Sequence, residues 1–166
     1  PMNEEQSAEQ FIQLMDAMAS HGFEHYEISN FCKPGLYSRH NTNYWKGVKY
    51  LGIGPSAHSY NGETRQWNIA NNAKYIQNLG QGVIPSEQEI LSETDRLNEY
   101  IMTSLRTMWG LELNKLNNIA TGASDMLLKS ASDSFERELL RQENQIIYLT
   151  QKGKLYADHI ASELFF

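Results

Sequence analysis

The chain has one cysteine, Cys32, among its 166 residues. No internal disulfide can form, and a lone thiol suits a reducing compartment such as the cytoplasm. An iron–sulfur cluster held by this chain alone is excluded for the same reason, because such clusters need several thiolates. Long apolar runs are missing too. None approaches the roughly eighteen residues of a membrane span, and no stretch has the pattern of a secretory leader. Basic residues are scarce, 14 against 20 acidic, for a net charge of −6. A nucleic-acid binder normally presents a basic face to phosphates, so that class is set aside. The deficit is concentrated late in the chain, where from Glu87 onward eight basic residues stand against thirteen acidic ones. Internal repeats and low-complexity segments are absent.

The pattern that is present begins with a helix. Ala8, Phe11, Ile12, Met15, Met18 and Ala19 recur at helical spacing, Asn3 and the following acidic residues suit an N-terminus, and Gly22 suits the stop. Phe23 to Phe31 then predicts a strand. Helix, glycine, strand is half of a βαβ repeat, and a sheet is not built from half a repeat. With Pro1 in place of a start methionine, this makes a segment cut from a longer chain the expectation.

Lys33-Pro34-Gly35 reads as a turn, and Leu36 to Lys49 as a long polar and aromatic loop. Tyr50 to Ile53 and Ala57 to Tyr60 are strand-like, Asn61-Gly62 is a tight turn, and Thr64 to Asn68 returns as a hairpin. Asn71 to Leu79 predicts a short helix. Val83-Ile84-Pro85-Ser86 reads as a linker, and the domain boundary is placed there, giving 1–84 and 85–166. Beyond it, Ser92-Glu93-Thr94-Asp95 caps a helix carrying Leu97, Ile101, Leu105 and Met108. Short helices near Leu113 to Ala120 and Ser132 to Arg141 follow, then a strand at Ile146 to Leu149 and a final helix capped by Thr150. That order resembles a winged-helix-like bundle.

The chemistry is concentrated between Arg39 and Tyr60. His40 and Tyr44 lie four residues apart with Asn41 between them, and Trp45 follows. Imidazole and phenolate are both axial ligands of haem iron, and neighbouring aromatics can flank a porphyrin. Two ligands fall short of the three or four usual for zinc. The residues alone leave open that this loop makes local turns while its aromatics cap the core. Gly52-Ile53-Gly54-Pro55-Ser56-Ala57 is not a dinucleotide fingerprint, because no helix opens after it; its glycines suit a close backbone approach instead. His58 fits a ligand, a base, or a hydrogen-bonded histidine near the core. Cys32 reads as a small residue packed after a strand. His21, His25 and His159 receive no role.

Tyr26-Glu27-Ile28-Ser29-Asn30-Phe31, Lys33-Pro34-Gly35, Arg39 to Trp45, Tyr50 to Ser59 and Leu149-Thr150-Gln151-Lys152-Gly153 occur in that order. Together they resemble the C-terminal half of the oxygen-independent coproporphyrinogen III oxidase family of radical SAM proteins, and within it the haem-chaperone, HemW-like branch. The turn glycine usual in that family near Gln142 to Asn144 is absent, and Asn144 suits the same conformation. The resemblance implies an α/β remnant of an incomplete (β/α) barrel over 1–84, and a mainly α, winged-helix-like domain over 85–166. It maps the family's H-N-x-x-Y haem motif onto His40, Asn41 and Tyr44, with His40 as iron ligand, Tyr44 as second ligand or ring contact and Asn41 orienting the imidazole. No catalytic residue is assigned. A [4Fe–4S] cluster and S-adenosylmethionine would belong to the full-length protein, and this segment would be inactive alone. Expected partners are haem or a porphyrin, a haem-recipient protein, and a second copy along an uncovered sheet edge. An oxidase that decarboxylates coproporphyrinogen and a purely structural domain are the competing readings. The structural one requires His40 and Tyr44 to be buried against the core.

Overall fold

A computed structural model describes residues 4–166, so the cap expected at Asn3 lies outside the described residues. The chain divides into two compact units, one formed by the residues up to Lys46 with Arg96–Phe166, the other by Gly47–Asp95.

In the first unit, helix α1 (Glu4–Ser20) turns Met15 inward, with Ala8, Phe11 and Met18 half-buried around it, while Ile12 stays exposed. Gly22 closes it at a φ of 71°. The expected strand from Phe23 to Phe31 is instead an antiparallel hairpin, β1 (Glu24–Glu27) and β2 (Asn30–Cys32). The far side of β1 meets the end of the long helix α4 (Glu93–Leu105), where Ile28 N–H donates to the Arg106 carbonyl (3.0 Å) and Met108 N–H to that of Tyr26 (3.0 Å). No parallel strand pair and no closed barrel occurs among the described residues.

The core of this unit is built by α4, β6 (Leu111–Glu112), α5 (Leu113–Ile119), α6 (Ala123–Ser130), α7 (Ser132–Glu136), β7 (Leu140–Glu143), β8 (Ile146–Leu149) and, after a 3-10 turn, α8 (Ala157–Glu163). Ile101, Leu105, Leu116, Leu127, Ile147 and Ile160 are almost fully excluded from water at its centre. The sheet order is β6-β8-β7, all antiparallel. The helix expected through Arg141 stops at Glu136, because Glu138 takes a positive φ of 58° and Leu140 starts β7. Asn144 takes the left-handed turn position at φ 54°, standing in for the glycine. Helix α6, unforeseen among small residues, buries Leu127.

In the second unit, β3 (His58–Tyr60), β4 (Thr64–Asn68) and β5 (Ser86–Ile90) form an antiparallel sheet in that order, and α3 (Asn72–Gly80) connects the last two. Tyr50 makes one bridge to Tyr60, and no strand runs on to Ile53. Ser86, expected in a linker, is the first residue of β5 and pairs with Asn68. The partition at residue 85 therefore differs from the compact units: β4 recruits the acidic segment that follows the supposed linker. Among the described residues no helix is long and apolar enough to cross a membrane.

Candidate functional site

The segment from Arg39 to Trp45, expected as loop, is a seven-residue helix, α2. Asn, Thr and aromatic residues have weak helix propensity, and so short a helix needs outside help. Ser38 supplies part of it as N-cap, its hydroxyl accepting from Asn41 N–H (3.4 Å). Packing supplies more. Trp45 lies half-buried beneath the Arg106 guanidinium, 5.2 Å from ring centre to charge, and the Thr42 hydroxyl is enclosed without a hydrogen-bond partner.

Helical spacing puts His40 and Tyr44 on one face, a turn apart. Both are exposed, Tyr44 to 49%. The Tyr44 ring stands edge-on to Trp45 at 5.1 Å, while the His40 imidazole has neither a hydrogen bond nor an ion pair among the described residues. The burial required by a purely packing role is not seen. Asn41, on the adjoining face, is half-buried: its amide nitrogen lies 3.5 Å from Asn30 Oδ1. The expected hydrogen bond from Asn41 to the imidazole is not formed; Asn41 ties α2 to the β1–β2 turn.

That turn leads to a group the sequence reading passed over. Glu27 has a fully buried side chain, and its carboxylate accepts from Ser29 N–H (3.0 Å), from the Asn30 amide, and from Arg106 Nε (3.0 Å). Arg106 also reaches the exposed Asp158. A buried carboxylate needs this density of donors to remain charged. Glu27 therefore fixes three things at once: the hairpin turn, the arginine over Trp45, and through Asn30 the foot of α2. The run Tyr26–Phe31 carried the signal for Glu27. Arg106, 79 positions away, had none.

The other candidates fall in the second unit. Gly52 makes the close approach expected of it: a Cβ there would lie 2.1 Å from the His58 carbonyl oxygen, and Gly52 N–H donates to Ser59 Oγ (3.0 Å). Gly54 takes a φ of 107° and its carbonyl accepts from Asn68 Nδ2 (2.9 Å). His58 is exposed and lies 6.3 Å from the Trp67 ring. In the first unit, Cys32 has its thiol pushed up by burial and by the charge of Glu24, which favours the unreactive form. No group of three or more His, Cys, Asp or Glu that could hold a metal ion occurs among the described residues. An exposed imidazole a helical turn from an exposed phenol is a donor set that suits haem iron; among the described residues no donor set suits a cluster.

No family model matches the chain. It is 32% identical over 160 residues to the "Heme chaperone HemW" of Bacillus subtilis, covering 95% of this chain and 42% of that protein. The Mycobacterium tuberculosis protein of the same name is 32% identical over 154 residues, covering 92% of this chain and 38% of its own length. A bovine "Radical S-adenosyl methionine domain-containing protein 1, mitochondrial" is 33% identical over 118 residues, or 64% of this chain and 26% of that protein. The chain thus spans about two fifths of the bacterial relatives. In structure it is similar to Escherichia coli coproporphyrinogen III oxidase, described as a radical SAM enzyme, with a TM-score of 0.68 at 17% identity over 92% of this chain and 39% of that one. The bacterial and structural likenesses run along nearly the whole chain, which is HemW-like in sequence and shares its fold with coproporphyrinogen III oxidase.

Proposed function

We propose that this protein binds haem on the exposed face of α2 as part of a haem chaperone, with His40 as iron ligand and Tyr44 as second ligand or ring contact. The observation that carries this is the exposed, unpartnered imidazole of His40 a helical turn from Tyr44, on a helix anchored through the adjoining Asn41 and Trp45. A short helix tied down on one side presents its ligands without large rearrangement. Haem, when bound, would supply iron that takes an imidazole or phenolate ligand; the chain's own contribution is to hold the His40 imidazole in place and offer aromatic faces alongside it. Asn41 acts on the helix rather than on the imidazole.

The same reading takes the order α4 to α8 as a winged-helix-like domain, assigns 1–84 to the barrel portion and 85–166 to the helical one, and places the protein in the cytoplasm. It includes a haem-recipient protein as partner and a second copy paired along a sheet edge. The [4Fe–4S] cluster of the family, with the S-adenosylmethionine it works with, would belong to the full-length protein, since the cluster needs several thiolates and this chain has Cys32 alone.

A Soret titration tests the assignment. His40→Ala is expected to weaken haem binding at least tenfold, and an unchanged titration would overturn it. Assaying the full-length, cluster-loaded protein for protoporphyrinogen separates this reading from an oxidase, since a chaperone forms none.

A further inference from the structure

The Glu27–Arg106 pair forms part of the wall of a cavity of about 120 Å³ in the first unit. Three cations face it: Arg106, Arg141 and Lys154. Two are compensated. Arg106 is held by Glu27 and Asp158. Arg141 pairs with Glu143 and lies over the Tyr148 ring, 4.4 Å from its centre.

Lys154 is different. No carboxylate lies within ion-pair distance of its ammonium among the described residues. Its nearest side-chain partner is His25, with Nζ 3.1 Å from Nδ1. His25 Nε2 lies 2.9 Å from the Ile28 carbonyl oxygen and so carries the proton, which leaves Nδ1 free to accept from the ammonium. The imidazole is then neutral and offsets no charge. It also sits stacked on Phe31, with ring centres 4.1 Å apart, and cannot easily swing away.

A half-buried cation beside a guanidinium, with a neutral acceptor for one of its three N–H groups, is costly unless an anion completes it. Burial, reinforced by the charge of Arg141, holds Lys154 below its ordinary value, as expected of an ammonium lacking its counter-ion. The remaining walls select among anions. Ile28, Leu105, Met108 and Leu149 line the cavity and suit an apolar stem. The fixed carboxylate of Glu27 in the same wall penalises a dianion more than a monoanion. A dry cavity of roughly 150 Å³ takes a benzene ring, so this one takes a group no larger.

We propose that this cavity is a binding site for a monocarboxylate on a short alkyl arm, the carboxylate meeting Lys154 and Arg141 and the arm packing on Ile28, Leu105 and Leu149. His40, Asn41 and Tyr44 do not line this cavity, so its test does not depend on the haem assignment.

Titration of the protein with sodium propionate tests it, read by the ring resonances of His25 and the side-chain signals of Lys154 in NMR spectra, against sodium chloride at equal ionic strength. Saturable shifts are expected at both residues with propionate and not with chloride or inorganic phosphate. Lys154→Met, which keeps the length and removes the charge, should abolish the His25 response. Absence of a saturable shift through the millimolar range overturns the proposal, as does an undiminished His25 response in a folded Lys154→Met. Saturation by phosphate as tight as by propionate overturns the monocarboxylate assignment. The wild-type titrations decide on their own if Lys154→Met fails to fold.

Discussion

At the scale of single residues, Glu27 and Arg106 contribute most that is not replaceable. The carboxylate is wholly buried, and Arg106 is its one cationic partner among the described residues, with a side chain 16% exposed. Arg106→Met would leave Glu27 with the Ser29 amide and the Asn30 side chain alone. Stranding a buried charge in this way costs about 3–5 kcal/mol. The other arm of the arginine ends on Asp158, whose side chain is 72% exposed, and Asp158→Asn should cost under about 1 kcal/mol because solvent already screens that pair. Urea denaturation of the two variants measures both, and equal losses would show that the buried pair has no special weight. Arg106→Met should also loosen Trp45 and, with it, the base of α2. Nothing near Arg106 in the chain announces this role, since the interaction is made across the fold by groups whose local patterns are those of an ordinary strand and helix end. His40 and Tyr44 were readable because four-residue spacing is itself a geometry. Their exposure was not, because it depends on which side of α2 finds Trp45 and Asn41 something to pack against.

At the scale of elements, the departures from expectation share a cause. The β1–β2 hairpin turns at Ile28-Ser29, where no glycine, proline or Asn-Gly pair marks a reversal. Its turn is held by the Glu27 carboxylate accepting from Ser29 and Asn30, a side-chain device that pattern reading does not see. Helix α2 likewise rests on a serine cap and on packing rather than on propensity. Where local chemistry decides, the sequence was informative: the Asn61-Gly62 hairpin, the Ser92–Asp95 box with reciprocal bonds of 2.9 and 3.1 Å, and the left-handed Asn144 are all found. Gly52 belongs with them. Gly52→Ala would drive a methyl group into the backbone carbonyl of His58, which cannot move without displacing β3. A loss of about 1–3 kcal/mol is expected from such overpacking. It should appear as faster amide exchange at Asn68, whose N–H donates to the Ala57 carbonyl (3.0 Å). Unchanged exchange there would mean that the loop yields instead of the strand.

At the scale of the whole molecule, the two compact units are unequally cored. The large buried cluster, from Leu97 to Leu164, lies entirely in the unit that contains α2 and the Lys154 cavity. In Gly47–Asp95, Leu91, still 9% exposed, is the one large apolar side chain that is buried among the described residues, while Leu51, Ile53, Ile76, Ile84 and Ile90 are between 64% and 86% exposed. A segment this small with so little apolar burial has few interactions with which to offset its chain entropy. Its hydrogen bonds should therefore open by local unfolding well below the free energy of global unfolding. Native-state amide exchange is expected to show β3–β5 exchanging at least about a hundredfold faster than Leu97–Leu105, a gap of roughly 2.8 kcal/mol at about 1.4 kcal/mol per decade. Addition of haem should leave that gap in place if the ligand engages α2 alone, since α2 belongs to the well-cored unit. Protection of β3–β5 on haem addition would instead place part of the haem site in Gly47–Asp95, and His58 and Tyr60 would then become the residues to substitute next.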